Sequence, residues 1–321
     1  MESFAEKLAV ITGGGTGMGR ELAIQLAKEG CRVAMCDVSE EAMDQTRALC
    51  QKVAPSDTRI SCFVADVSNE DQVLAFRDSV LAEHETDCIN LLFNNAGIGG
   101  AGSFICDPRD EWEKTFAVCW EGVYFCSRAF VPLLIASSEG HLVNTSSVNG
   151  FWASVGPSTA HTSYSAAKFA VKGFTEALVN DFRLNAPHVG VSLVMPGHIG
   201  TSIVINSGKI LGHDPKEMSA EEIDEARERL AKLGLDTTGA TDDEVRQGLQ
   251  QLAESFRDDA PMTAAEAANV ILDGVRNGNW RILVGQDAAV LDRLVREDPE
   301  GAYEPAFMER LRAETGWNLG L

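Results

Sequence analysis

The feature that most constrains this chain is a rhythm. Short apolar runs alternate with helix-length amphipathic segments from the first residues to about position 200. Leu8–Thr12, Arg32–Cys36, Ile60–Val64, Ile89–Phe93, His141–Thr145 and Val191–Met195 read as buried strands, and Ile282–Val284 supplies a candidate seventh. Between them, Arg20–Lys28, Glu40–Gln51, Glu70–Ala82, Trp112–Leu134 and Tyr164–Leu184 read as helices. Strands buried on both faces and separated by helices predict an α/β fold, a doubly wound parallel sheet flanked by helices.

The rhythm stops after Thr201, where about sixty residues without strand pattern precede a helix beginning near Thr263. Ser219-x-x-Glu222, Thr241-x-x-Glu244 and Thr263-x-x-Glu266 are capping boxes and mark three helix starts. Between Asp214 and Asp259 lie 14 acidic and 6 basic residues, so at least one face of this region is in water. Its apolar residues are too few for a separate core, which predicts a helical lid inserted at about 202–262 into one domain spanning 1–321. The core is then about 5–201 and 263–285, and 286–321 is a C-terminal extension able to pack on a neighbouring subunit.

A formal charge of −21 leaves no general basic surface for nucleic acid or anionic membranes. The opening MESFAEKLAVITGGG has neither a long apolar run nor a cleavage site, and no stretch approaches ~20 uninterrupted apolar residues, which predicts a cytoplasmic protein. The eight cysteines, at 31, 36, 50, 62, 88, 106, 119 and 126, contain no C-x-x-C pair and read as free thiols. No metal-ligand spacing links the histidines.

After the first strand comes Thr12-Gly-Gly-Gly-Thr-Gly-Met-Gly19, with Gly13, Gly15, Thr16, Gly17, Met18 and Gly19 as candidate cofactor contacts. Glycines admit a diphosphate close to the backbone, and a helix N-terminus favours its charge. Such a turn also joins strand to helix for structural reasons alone. Asp37, eighteen residues after Gly19 at the end of the second strand, strengthens the cofactor reading: its carboxylate can accept from ribose hydroxyls and would repel a 2′-phosphate. With no Lys or Arg in the turn before Gly19 or in Val38–Ala42, NAD is expected over NADP. Asp66 and Val67 after strand three, and Asn94, Ala96 and Gly97 after strand four, fall beside the same ligand, although strand-end turns use such residues too.

Tyr164 and Lys168, four apart on one helix, share a face. A phenol near ~10 is a poor base at neutral pH, but a neighbouring ammonium and an oxidised nicotinamide stabilise its phenolate. In Asn144-Thr-Ser-Ser147, Ser147 is expected to face the cleft and hold the substrate oxygen while Ser146 points away. Pro196-Gly-His-Ile-Gly-Thr201 offers Pro196, Gly197, Ile199 and Thr201 to the cofactor, with His198 either near substrate or a loop residue without chemistry.

Taken in order, T-G-x-x-x-G-x-G, N-N-A-G, N-x-S-S, Y-x-x-x-K and P-G-x-x-x-T make the chain resemble the short-chain dehydrogenase/reductase family over about 5–201 and more weakly over 263–285. The resemblance implies a seven-stranded Rossmann-like sheet and catalytic roles for Ser147, Tyr164 and Lys168. It also implies that Lys168 holds the nicotinamide ribose and Thr201 the carboxamide, with pro-S hydride transfer. Homodimers or homotetramers are implied to form through the helices containing 112–134 and 164–184. Two departures stand out. Cys119 occupies the place of an Asn that the family uses to order a proton-relay water. Tyr164 follows Ser147 by 17 positions, more than is usual, so Phe151–His161 is expected to line the substrate mouth.

These readings predict an NAD-dependent enzyme interconverting a secondary alcohol and its ketone, a bulky apolar terpenoid, steroid or aromatic carbinol. Phe151, Trp152, His198, the Pro196–Thr201 loop and the helical lid would wall its substrate pocket. Competing readings are an NAD-binding sensor or scaffold, kept open by Cys119, and epimerase or dehydratase chemistry on the same fold, whose relatives generally read G-x-x-G-x-x-G at the turn.

Overall fold

The structure, a computed structural model, describes residues 1–321 except 101, 157–158, 233–234 and 317–321. Its main sheet contains β1 (Leu8–Thr12), β2 (Arg32–Asp37), β3 (Ile60–Val64), β4 (Leu91–Asn94), β5 (Gly140–Thr145), β6 (Val189–Pro196) and, last in the chain, β9 (Arg281–Val284). The order is β3-β2-β1-β4-β5-β6-β9, with every pair parallel. All five residues of β1 and all four of β4 are buried, as strands covered on both faces must be. The order reverses between β1 and β4, and a crevice opens there at the carboxyl ends of the strands.

On one face pack α1 (Gly17–Lys28), α2 (Glu40–Val53) and α10 (Ala264–Arg276), around a core that includes Ile11, Leu22, Met35, Phe93 and Ile271. The other face carries α3 (Glu70–Glu83), α4 (Arg109–Phe116), α5 (Gly122–Ala136) and α6 (Thr162–Asn185) over Val10, Phe76, Phe130 and Leu142. Helix α1 starts at Gly17 rather than Arg20, which brings the glycine turn into the first helical turn. Strand β4 starts two residues later than expected, and the Ile89 amide donates to the Leu133 carbonyl of α5 instead of to a neighbouring strand. Between α4 and α5, Ala117–Glu121 form a π-helical turn, a distortion that often accompanies a functional site. Arg109–Ala136 is long and apolar enough, by length and composition, to cross a membrane, yet half of its most apolar window is buried against the sheet and α6.

Strands β7 (Ile199–Gly200) and β8 (Met262–Thr263) pair in parallel, so the chain leaves and re-enters the core at adjacent points. Between them lie α7 (Ile203–Ile210), α8 (Ala220–Lys232) and α9 (Asp242–Asp258). All three sequence-predicted capping boxes form, at Ser219/Glu222, Thr241/Glu244 and Thr263/Glu266. Met218, Ile223, Leu230 and Val245 make a small apolar cluster under α8 and α9.

The tail folds onto its own chain. Helices α11 (Gln286–Glu297) and α12 (Pro305–Thr315) enclose Trp152 with Val148, Leu291, Phe307 and Leu311. This corrects the placement of Trp152 on a substrate wall: it is 1% exposed, its Nε1 donates to the Ala302 carbonyl at 2.8 Å, and its ring packs on Phe307. Phe151 packs at the edge of the same cluster, while Pro157 and Ser158 of that loop lie outside the described residues.

Candidate active site

Above β1, Gly13 (φ +67) and Gly17 (φ +54) adopt the left-handed backbone that glycine tolerates. A Cβ at Gly13 would stand 2.8 Å from the Ala96 Cα, and one at Gly19 only 2.0 Å from the Gly13 carbonyl oxygen. The turn therefore exists only with glycine there. Asp37 reaches it from β2: one carboxylate oxygen accepts from the Gly15 amide (2.9 Å) and the other from Ser39 (3.1 Å). Arg20 grips the turn from behind, donating to the Gly15 carbonyl (2.6 Å) and to Thr46.

A cavity of about 570 Å³ opens over this turn. Of the sequence-predicted residues, Gly13, Thr16, Gly17, Met18, Asp37, Asp66, Val67, Ala96, Gly97 and Thr201 line it. Gly15 and Gly19 shape the turn without lining the cavity. Lys114 pairs with Asp66 at 2.7 Å. Burial alone would raise the Asp66 carboxyl, but bonds from Lys114 and Ser68 outweigh it and hold it below the usual range.

Asn94 is not in the cavity. It is 1% exposed, and its amide donates to Asn144 Oδ1 (2.8 Å) and Ser127 Oγ (3.0 Å), tying β4 to β5 and α5. Its neighbour Asn95 lines the wall, with its amide on the Thr12 carbonyl. Pro196 and Ile199 are buried away from the cavity, and a Cβ at Gly197 would strike the Asp287 carboxylate. His198 is likewise a structural residue: its Nε2 meets the Phe256 carbonyl at 2.7 Å, its ring packs on Phe256, and its amide donates to Asp287. These bonds fasten the β6–β7 turn to α9 and α11.

At the other end of the crevice, Lys168 is 2% exposed, with its Nζ 3.0 Å from the Thr145 carbonyl and 5.4 Å from the centre of the Tyr164 ring. A Cβ at Gly97 would lie 3.4 Å from that Nζ, so Gly97 joins the cavity wall to the lysine. Ser146 points away, as expected, and donates to the Lys168 carbonyl. Ser147 Oγ accepts from the Asn149 amide at 3.1 Å, at the start of a 3-10 turn, Val148–Gly150. Burial pushes the Tyr164 phenol above its ordinary value. The Lys168 charge pulls it down, Cys119 adds to the rise, and a bond with Ser147 lowers it again.

Two further side chains border this end of the crevice. The His161 ring sits 4.9 Å from the Tyr164 ring, and burial pushes it down to about 4, so it is neutral at physiological pH. Cys119 lies in the π-helical turn and donates its thiol to the Ile98 carbonyl at 3.1 Å. The sulfur thus makes a main-chain bond from the position where Asn was expected.

Residues 7–210 match the family profile of the short chain dehydrogenases. The chain is 33% identical over 297 residues to SadH of Mycobacterium tuberculosis, described as a putative oxidoreductase, covering 92% of each. It is 32% identical over 224 residues to levodione reductase of Leifsonia aquatica, covering 68% of this chain and 79% of the relative. Among solved structures, a short-chain dehydrogenase/reductase from Burkholderia phymatum in complex with NAD aligns with TM-score 0.72 and 29% identity over 95% of this chain and 98% of that one. A metagenomic short-chain oxidoreductase in complex with NADP aligns with TM-score 0.54 and 30% identity over 60% and 83%. Motif order, sheet order and these matches agree: the chain belongs to the short-chain dehydrogenase family, oxidoreductases on a fold that binds a nicotinamide cofactor.

Proposed function

We propose that this protein is an NAD-dependent oxidoreductase that interconverts a secondary alcohol and its ketone, with Tyr164 as general acid and base. The observation that carries the reading is the convergence of Ser147, Tyr164 and Lys168 beside Gly97, where the glycine-turn cavity ends. The cavity fits a dinucleotide: its glycine turn is a cradle that Cβ atoms would fill, and Asp37 stands where ribose hydroxyls would be held. When bound, the nicotinamide supplies or accepts the hydride. Tyr164 then gives its phenolic proton to the carbonyl oxygen in reduction and takes it back in oxidation, while Ser147 donates to the same oxygen. The buried Lys168 ammonium lowers the cost of the phenolate.

Asp37 supports NAD over NADP, because a carboxylate already accepting two amides repels a 2′-phosphate. Arg20 does not offset it, being spent on the turn's own carbonyl. Apolar walls at Ile98, Val118, Ile203 and Ile210 support a bulky apolar substrate, covered by the helices between β7 and β8 acting as a lid on a single domain. Exposed Tyr124 and Ile135 on α5 and Phe169 on α6 support association of copies through those helices. A cytoplasmic location accords with the acidic, cysteine-bearing composition.

The test is Tyr164→Phe followed by NADH absorbance across a panel of secondary alcohols and ketones. Turnover by the wild type that drops ~10²–10⁴-fold in the variant is expected. Wild-type protein that binds NADH tightly but turns over no member of the panel would favour a sensor, and equal affinity for NADP and NAD would remove the role given to Asp37.

A further inference from the structure

Helix α7 leaves the core immediately after Thr201 and lies across the glycine turn. Asn206 Nδ2 donates to Thr16 Oγ1 at 3.1 Å, and Ser207 Oγ accepts from the Gly99 amide at 2.8 Å. The helix thus spans both walls of the crevice. Ile203, Asn206 and Ile210, spaced i, i+3 and i+7, line the cavity, and Lys209 lines it one turn beyond Asn206.

Charge singles out Lys209. Among the described residues, four charged ones line the cavity: Asp37, Asp66, Lys114 and Lys209. Asp37 is held by two amides, and Lys114 is neutralised by Asp66. Lys209 makes no ion pair among the described residues, in a chain carrying a formal charge of −21. An unneutralised ammonium on the wall of a cavity that also holds a helix N-terminus matches a ligand with two adjacent negative charges.

Building on the dinucleotide reading, we propose that α7 is a cofactor clamp, with Lys209 pairing with the diphosphate from the side opposite the glycine turn. The helical cover then holds the cofactor as well as the substrate. The lysine stem is flexible and the residue exposed, so the pair forms when the diphosphate arrives.

The experiment measures dissociation constants by NADH and NADPH fluorescence and by displacement of NADH with ADP-ribose and adenosine, for wild type, Lys209→Gln and Lys209→Arg. Lys209→Gln is expected to weaken NADH and ADP-ribose about tenfold, the low end for a bond to a charged group. Lys209→Arg should recover most of that loss, and adenosine, which lacks the diphosphate, should change less than twofold. Unchanged NADH affinity in Lys209→Gln would overturn the clamp while leaving the dinucleotide site intact, as would an equal loss for adenosine. A loss confined to NADPH would reassign Lys209 to a 2′-phosphate and also overturn it. Wild-type protein that binds neither NADH nor ADP-ribose would remove the dinucleotide reading itself and the clamp with it.

Discussion

Replacing Trp152 tests whether the C-terminal segment is part of the catalytic apparatus. The side chain is buried among Val148, Leu291, Phe307 and Leu311, and its Nε1 donates to the Ala302 carbonyl. Truncation of a buried Trp to Ala costs about 3–5 kcal/mol. Trp152→Phe keeps most ring contacts but leaves the Ala302 carbonyl without this donor, for about 1–2 kcal/mol. At about 2.1 cal/mol/K per residue, a chain of 321 residues unfolds with an entropy of roughly 0.7 kcal/mol/K. The Ala variant should therefore melt about 6 °C below wild type and the Phe variant about 2 °C below, read by far-UV circular dichroism. Catalysis should suffer as well. Asn149, which bonds Ser147 through its amide, also donates its side chain to the Trp152 and Ser154 carbonyls. A loosened Trp152 frees that turn, so kcat should fall in Trp152→Ala while NADH affinity stays within about twofold, since no cavity wall is touched. An Ala variant melting within 2 °C of wild type, or melting with the Phe variant, would refute the packing argument.

Two further outcomes follow from named geometry. Gly19→Ala places a methyl 2.0 Å from the Gly13 carbonyl oxygen and 2.7 Å from Asn95 Nδ2, so NADH affinity should fall at least ~100-fold, about 2.7 kcal/mol; Gly99→Ala, with open space around its Cβ, is the control. Affinity of the Gly19 variant within fivefold of wild type would contradict the turn. Burial pushes His84 and His141 down to about 4, so the fold opposes their protonation: their contribution is complete above the unfolded value near 6.5 and is lost as pH falls through 6.5 towards 4. At about 1.4 kcal/mol per unit, the stability lost through His141 alone reaches roughly 3 kcal/mol by pH 4. The melting temperature should be flat from pH 8 to 7 and drop steadily below 6.5; a profile flat to pH 4.5 would refute it.

The parts of the molecule legible in the sequence were those fixed by local chemistry. Apolar runs marked the seven strands of the main sheet because the central ones are covered on both faces and even the edge strand β3, with Val64 exposed, keeps its apolar residues, and three capping boxes marked three helix starts because their bonds lie within four residues. The parity of adjacent residues was less visible. Asn94 and Asn95 are chemically identical, and only the true end of β4, with Asn94 still paired to Asn144, turns the first into the core and the second towards the cavity. Trp152 and His198 were assigned to the substrate side because their partners, Ala302 and Phe256, stand 150 and 58 residues away, beyond the reach of any local pattern. No local pattern marks Lys209, whose place on the cavity wall depends on α7 crossing the glycine turn.

The position of β9 also bears on how the protein is made. Its pairing of Leu193–Pro196 with Arg281–Val284 closes the outer edge of β6, and α11 and the Arg281–Asp292 ion pair then cover that edge. About 85 residues separate the two strands, so at ~5–20 residues per second the nascent chain holds β6 with an open edge for roughly 4–17 s. Val191, Leu193, Val194 and Met195 are all buried in the finished protein, and an unpaired edge of this composition is a template for association with other chains. Soluble yield at raised temperature, and its dependence on chaperones, thus hinge on a four-residue strand that lies outside the cavity over the glycine turn.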